Sequence, residues 1–453
     1  MKRCIDYYLL EWKQEVHRKP LLLRGARQVG KTYAIRTLGS TFEHFIEVNL
    51  EQDRVAKAIF ERDLDIKRII FQLSTHLNKD IIPGKTLLFI DEIQQCPSAI
   101  TALRYFYEQI PELHLIAAGS LLEFAIQQIG MPVGRISSLY LYPMSFIEFL
   151  IADNKPHWVK AILHHNPETP IFDQLHTQLL ESLHLYCIVG GMPEAVKQWV
   201  STQSLRTITK VHTELLDTYR QDFSKYGKLH QIKYLELLFA QAVEQIGTKF
   251  TFTKVGEYKK RELAPALDLL EKAGLVHKIF KTAAQGIPLG AQADLNDFKI
   301  AFLDVGLCQT ALGLDSAGWI HSPHSNFINQ GALIESLIGQ ELLTNSDPIR
   351  KQDLFYWRRN SRGSDAEVDY VIQLNHTIIP IEVKAGTSKR IKSSYLFLES
   401  HPSARYGIRF SSLNYGRDAA IHTYPLYAVA LVLQSTNPSM KLALEYLTSS
   451  HNT

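Results

Sequence analysis

The chain is 453 residues long, room for about three domains at roughly 150 residues each, and its 49 Lys and Arg nearly balance 46 Asp and Glu, leaving a net charge of +3. With 45% apolar and 21% charged residues, it has material for a sizeable core, which excludes general disorder, collagen and coiled-coil designs. Four scattered cysteines, Cys4, Cys96, Cys187 and Cys308, make no C-x-x-C pair, which argues against a disulfide framework or zinc ribbon and for a reducing, cytoplasmic setting.

The opening segment MKRCIDYYLLEWKQEV is broken by charges, so it does not read as a signal peptide, and no later run is apolar for about 18 residues, so no membrane partner is expected. Over 1–150, the runs PLLLRGA, HFIEVNLEQ, KTLLFIDE, HLIAAGS and SLYLYPMS are short, apolar and bounded by turn residues. Their spacing leaves room for crossover helices, which predicts an α/β unit with about five parallel strands. Residues 151–229 turn helical, a lid or connector, with VGGMPEAV at 189–196 as a turn. Residues 230–310 read as a winged helix: the helix bearing Leu263, Leu267 and Leu270 ends at Gly274 and runs into a strand. Residues 311–453 form a second α/β unit, with the helix INQGALIESLIGQELL followed by FYWRR, AEVDYVIQL, TIIPIEVKAG and RYGIRF.

GARQVGKT, residues 25–32, follows the first apolar run directly and fits G-x-x-x-x-G-K-[ST]. Phosphates need backbone N–H groups converging at a helix N-terminus, and Gly25, Ala26, Arg27, Gln28, Val29 and Gly30 supply such a loop. Lys31 is then expected on the β- and γ-phosphates of ATP, and Thr32 on Mg2+. The run TLLFIDE ends in Asp91 and Glu92, at the strand end where open α/β sheets bind ligands. Asp91 is expected to hold Mg2+ and Glu92, turned the other way, to polarise water. Ser120, at the end of LHLIAAGS, is either a γ-phosphate sensor or an ordinary polar strand end. Arg135 is either a solvated arginine or a positive charge for the reacting phosphate, supplied within the chain or by a neighbouring subunit.

GARQVGKT, LLFIDEIQ, AAGS and LYPMSFIEF resemble the AAA-type P-loop ATPases of bacteria and archaea that carry a restriction-endonuclease-like C-terminal domain of unknown function. GGMPEAV, LEKAGLV and IPIEVKAG are similar to that family's second half. The resemblance implies ATP hydrolysis with Mg2+, a P-loop NTPase sheet with a helical lid, a winged helix between the ATPase and the last domain, and a PD-(D/E)XK nuclease-like fold over 311–453. A homo-oligomer or a partner protein is a further expectation.

In that last unit Asp369 lies on one strand, while Glu382 and Lys384, two apart, share a face of the next. With Glu335 from the preceding helix, the carboxylates form a candidate Mg2+ site of the PD-(D/E)XK kind, in which Lys384 would orient water. The alternative is a strand-edge salt bridge. Arg358, Arg359, Arg362, Lys389, Arg390 and Lys392 interleave with Phe355, Tyr356 and Trp357, the mixture expected for a DNA contact or else for a solvated loop. The basic residues over 254–281 suit a DNA-reading helix or, preferably, a rigid connector. The histidines, His321 and His324 included, have no zinc-ligand spacing. Two functions follow: an ATPase gating a DNA-cutting domain, or an ATP-dependent switch whose nuclease-like fold binds without cutting.

Overall fold

The computed structural model describes residues 1–129, 134–314, 331–359, 366–388, 391–435 and 437–449. Arg362, Lys389, Arg390, His321 and His324 lie outside the described residues. The five expected strands are present: β1 (Leu21–Arg24), β2 (His44–Asn49), β3 (Thr86–Asp91), β4 (His114–Ala118) and β5 (Ser137–Tyr140). They pair in parallel in the order β2-β3-β4-β1-β5. Their side chains alternate between two cores, Leu21, Leu23, Leu87 and Phe89 entering one and Leu22, Leu88, Ile90 and Leu115 the other. A strand buried on both faces needs apolar residues at consecutive positions, which is why these strands read as unbroken runs.

Helices Phe146–Ala152, Pro156–His164, Asp173–Val189, Pro193–Thr202 and Leu205–Tyr226 follow. The Gly-Gly turn among them is a crossing point as well as a turn. A Cβ on Gly191 would stand 2.1 Å from the carbonyl oxygen of Met144, and the Gly191 N–H donates to the buried Asp304 carboxylate at 2.6 Å.

The largest departure from expectation lies beyond. Helices Leu229–Glu244 and Lys260–Lys272 precede a hairpin, β6 (Val276–Thr282) and β7 (Ala293–Phe302), in the helix-then-hairpin order expected of a winged helix. The hairpin does not stand alone. With β8 (Leu354–Arg359), β9 (Ala366–Leu374), β10 (Thr377–Val383), β11 (Gly407–Ser411), β12 (Gly416–Asp418) and β13 (Ile421–Pro425) it forms one mixed sheet, ordered β12-β13-β11-β10-β9-β8-β6-β7. The junction is parallel pairing of β6 with β8, Ile279 opposite Leu354 and Lys281 opposite Tyr356. The boundary expected at 310/311 therefore runs through a single sheet. Phe298, Ile300, Ala301 and Phe302 are buried on β7, a degree of burial that an exposed wing would not need.

One apolar cluster runs through the whole chain and includes Leu9, Phe146, Leu183, Leu267, Ile338 and Leu444. No helix among the described residues is long and apolar enough to cross a membrane, and the four cysteines are buried free thiols.

Candidate functional site

The loop after β1 turns sharply. Gly25 has φ of 142°, and a Cβ there would stand 2.1 Å from the Leu141 carbonyl oxygen, so a glycine is required. The loop feeds the helix Lys31–Gly39. Lys31 is buried, 8% exposed, and its Nζ donates to the carbonyls of its own loop, Gly25 at 2.9 Å and Ala26 at 2.7 Å. Burial pushes its pKa down to about 8, against the opposing pull of Glu92 and Asp91. Thr32 Oγ1 donates to Asp91 Oδ2 at 3.3 Å, and the Glu92 N–H to Asp91 Oδ1 at 3.0 Å. Burial raises the Asp91 carboxyl. Glu92 has φ of 50°, and its Oε2 accepts from Gln94 Nε2 and, at 3.3 Å, from Ser120 Oγ. Lys31, Thr32, Asp91, Glu92 and Ser120 thus gather at the C-terminal edge of β1, β3 and β4.

Residues that sequence reasoning missed support this loop. Arg3 donates to the carbonyls of Val29 (3.1 Å), Tyr142 (3.0 Å) and Pro143 (3.2 Å), and pairs with Glu148 at 2.9 Å. Arg27 pairs with Asp222, and Tyr219 Oη donates to the Arg27 carbonyl at 3.0 Å. A cleft opens beside the loop, its lining including Ala26, Ser120 and Tyr142 together with Lys272, His277 and Lys351. Helical, hairpin and C-terminal residues therefore all face the loop. Arg135 does not. It precedes β5, whose first residue Ser137 pairs with Leu21 at the start of β1, so it sits at the opposite sheet edge, where it pairs with Glu108 at 3.1 Å.

The second constellation also assembles, with an unforeseen member. Glu335 on the helix Gly331–Thr344, Asp369 on β9 and Glu382 on β10 come together, and Lys299 of β7 reaches into them, its Nζ 2.8 Å from Glu335 Oε1 and 2.5 Å from Glu367 Oε1. Burial alone would lower the Lys299 pKa, but Glu335, Glu367 and Asp369 outweigh it and raise it. Burial and the charges of Glu335 and Glu382 push Asp369 far above the usual carboxylate range. Asp369 Oδ2 accepts the Val383 N–H at 2.7 Å. Glu382 is bound by Lys384 at 2.6 Å and by Ser394 Oγ at 3.2 Å. Glu335, expected on a metal, is thus bonded to an ammonium, and Lys384, expected on water, to Glu382.

The aromatic and basic residues around β8 divide in the same way. Tyr356 and Trp357 are core residues, 0% and 7% exposed, and Tyr356 Oη donates to Asp297 at 2.6 Å, so neither offers a face for stacking bases. Phe355 is half-buried, while Arg359 and Lys392 are exposed. Over 254–281, Lys278 is neutralised by Asp268 at 2.6 Å and Glu271 at 2.9 Å, as suits a connector.

Residues 17–150 match the model of the AAA domain family. Residues 180–318 and 330–429 match two domains of unknown function, DUF8612 and DUF4143. No curated protein matches the chain. Among solved structures, the Walker-type ATPase PABY2304 of Pyrococcus abyssi is similar at 15% identity, covering 68% of this chain and 95% of its own, with a TM-score of 0.43. C. elegans PCH-2 has 12% identity, coverages of 43% and 59% and a TM-score of 0.26. The S. cerevisiae Hsp104-ADP complex has 15%, 59% and 38%, with 0.27. All three scores lie below 0.5, so the assignment comes from the sequence match and from the parallel sheet that carries the loop, which together make the N-terminal third of the chain an AAA domain of the P-loop ATPase class.

Proposed function

We propose that the chain is a Mg2+-dependent ATPase that works as a switch, its nucleotide state passing to the C-terminal sheet, which holds DNA or a protein partner without cutting it. The ATPase half is carried by one observation: the buried Lys31 ammonium is bonded to neutral carbonyls of its own loop. An incoming triphosphate offers it charged acceptors, for which charge-assisted bonds are roughly twice as strong. Loop N–H groups from Gly25 to Thr32 would take the remaining phosphate oxygens. The Thr32 hydroxyl and Asp91 carboxylate, already 3.3 Å apart, suit an oxygen-seeking Mg2+, which when bound neutralises phosphate charge. Glu92 orients the attacking water and accepts its proton, while Gln94 and Ser120 hold it in position. Arg135, on the far edge, would meet a phosphate of a neighbouring copy, the basis for proposing an oligomer.

Support for the switch is a buried polar route. Arg3 joins the Val29 carbonyl to Glu148, Glu148 caps the helix that starts at Phe146, and the Phe146 N–H donates at 2.8 Å to Glu341 on the helix that also carries Glu335. A cutting role draws on the gathering of Asp369, Glu382 and Lys384, and needs those carboxylates free for a divalent ion. The test is ATPase turnover in parallel with DNA binding and cleavage, on wild type, Lys31→Ala and Glu92→Gln, with ATP or ADP and Mg2+. Glu92→Gln is expected to bind ATP and fail to turn it over. Should it neither trap ATP nor slow turnover, the assignment of Glu92 is wrong.

A further inference from the structure

The carboxylate cluster of the C-terminal sheet holds a cation of its own. Lys299 is 0% exposed; its Nζ touches Glu335 and Glu367 and lies 5.1 Å from the centre of the Tyr356 ring, so carboxylate and π partners surround it. Its host strand is committed too. Lys299 pairs with Ile279 on β6 between the buried Phe298 and Ile300, so its backbone is fixed in the sheet beside the carboxylates. A divalent ion needs several oxygens converging at close range, about 2.0–2.1 Å for Mg2+. Here Glu335 faces an ammonium, Glu382 faces Lys384 and Ser394, and Asp369 accepts a backbone N–H. Among the described residues, no three or more His, Cys, Asp or Glu side chains are arranged to hold a metal.

We infer that the Lys299 ammonium takes the place of the metal in this nuclease-like site, so that the cluster is a metal-independent clamp joining the β6–β7 hairpin to the Glu335 helix and β9. The residues present do not fit a resident Mg2+. Lys299 lies within 180–318 and the carboxylates within 330–429, so the clamp also ties one matched segment to the next. The inference sharpens the non-cutting half of the function proposed above and is independent of ATP turnover.

The test is Mn2+ titration of the nucleotide-free full chain, followed by electron paramagnetic resonance, with Asp91→Asn identifying any ion held at the P-loop. Wild type is expected to show no Mn2+ whose binding depends on Glu335 or Asp369. Lys299→Met is expected to gain a site at least tenfold tighter than anything wild type offers there. Wild-type binding of one Mn2+ that Glu335→Gln or Asp369→Asn removes overturns the inference, and that comparison stands even where Lys299→Met does not fold. A folded Lys299→Met that gains no Mn2+ overturns it as well. ATP hydrolysis is not read in this experiment, so failure of the ATPase assignment and failure of the clamp give different results.

Discussion

Two buried lysines divide this protein's chemistry between them. Lys31 is hydrogen-bonded to neutral acceptors, the carbonyls of Gly25 and Ala26, and burial draws its pKa down to about 8 against the weaker pull of Glu92 and Asp91. Lys299 is surrounded by Glu335 and Glu367, and stays charged despite full burial. A buried ammonium whose hydrogen bonds go to neutral carbonyls has not recovered its lost hydration, and an anion can supply the difference. One already flanked by carboxylates has nothing left to gain from a ligand. The same residue type therefore marks a binding site at one end of the chain and a structural joint at the other.

The contrast breaks first in stability. Lys299→Met strands two carboxylates, of which Glu335 is largely buried and Glu367 one-third exposed, and is expected to cost about 3–5 kcal/mol, the usual penalty for removing one partner of a buried pair. Glu335→Gln in the same chain should restore part of it, because the stranded charge goes with the partner. Urea unfolding of the two variants measures both. ATP affinity should be untouched in either that folds.

At Lys31 the expected signature is the reverse. Lys31→Ala removes a donor to the phosphates, for which a loss of roughly 10²–10³ in turnover is typical of a single lost electrostatic contact. Stability should change little, since neutral carbonyls are left behind. Calorimetric ATP titration and an ATPase assay check the first half, thermal unfolding the second. Severe unfolding on loss of Lys31 would erase the distinction.

Why one lysine was legible in the sequence and the other was not follows from distance along the chain. The P-loop is eight consecutive residues after an apolar strand, and the five strands of the first sheet declare themselves because burial on both faces writes apolar runs. Asp91 and Glu92 follow the same logic at a strand end. The clamp joins Lys299 to Glu335 across 36 residues, and nothing local at either end announces the other. A signal was present: a single lysine inside FKIAF is costly to bury and so implies a carboxylate partner. The hairpin was misplaced for the same reason, since its helix-then-hairpin order is local while its sheet partner, Leu354–Tyr356, is not. Tyr356 and Trp357 fit a DNA contact or a solvated loop by composition and are core residues instead, because composition alone does not tell which strands are central.

Glu341, on the helix that also carries Glu335, gives the comparison a pH axis. Burial raises this carboxyl from its ordinary 4.5 to about 7, although Phe146, Asn345 and Tyr186 donate to it. Between those values the folded chain keeps a proton that the unfolded chain has lost. The stabilisation is therefore fully present below about pH 4.5 and disappears as pH rises through 7. Unfolding free energy should fall by about 2–3 kcal/mol between pH 5 and pH 8 on this account, at 1.36 kcal/mol per pKa unit. Asp6, raised by burial to about 6, acts in the same direction, so the contribution of Glu341 is the difference between wild type and Glu341→Gln. A variant with an unchanged pH slope would remove Glu341 as the titrating group.

The smallest expected effect probes how Glu92 is held. Ser120 Oγ reaches Glu92 Oε2 at 3.3 Å, a long bond at a partly buried position, and Gln94 donates to the same oxygen. A single such bond contributes about 0.5–1.5 kcal/mol, so Ser120→Ala should slow turnover by roughly 2- to 10-fold at 1.4 kcal/mol per decade. If Ser120 acts only by positioning Glu92, ATP affinity stays put and the whole effect falls on kcat. If it touches the γ-phosphate instead, the affinity for ATP weakens while that for ADP does not. Parallel titrations with ATP and ADP separate the two roles, because ADP has no γ-phosphate for the hydroxyl to meet.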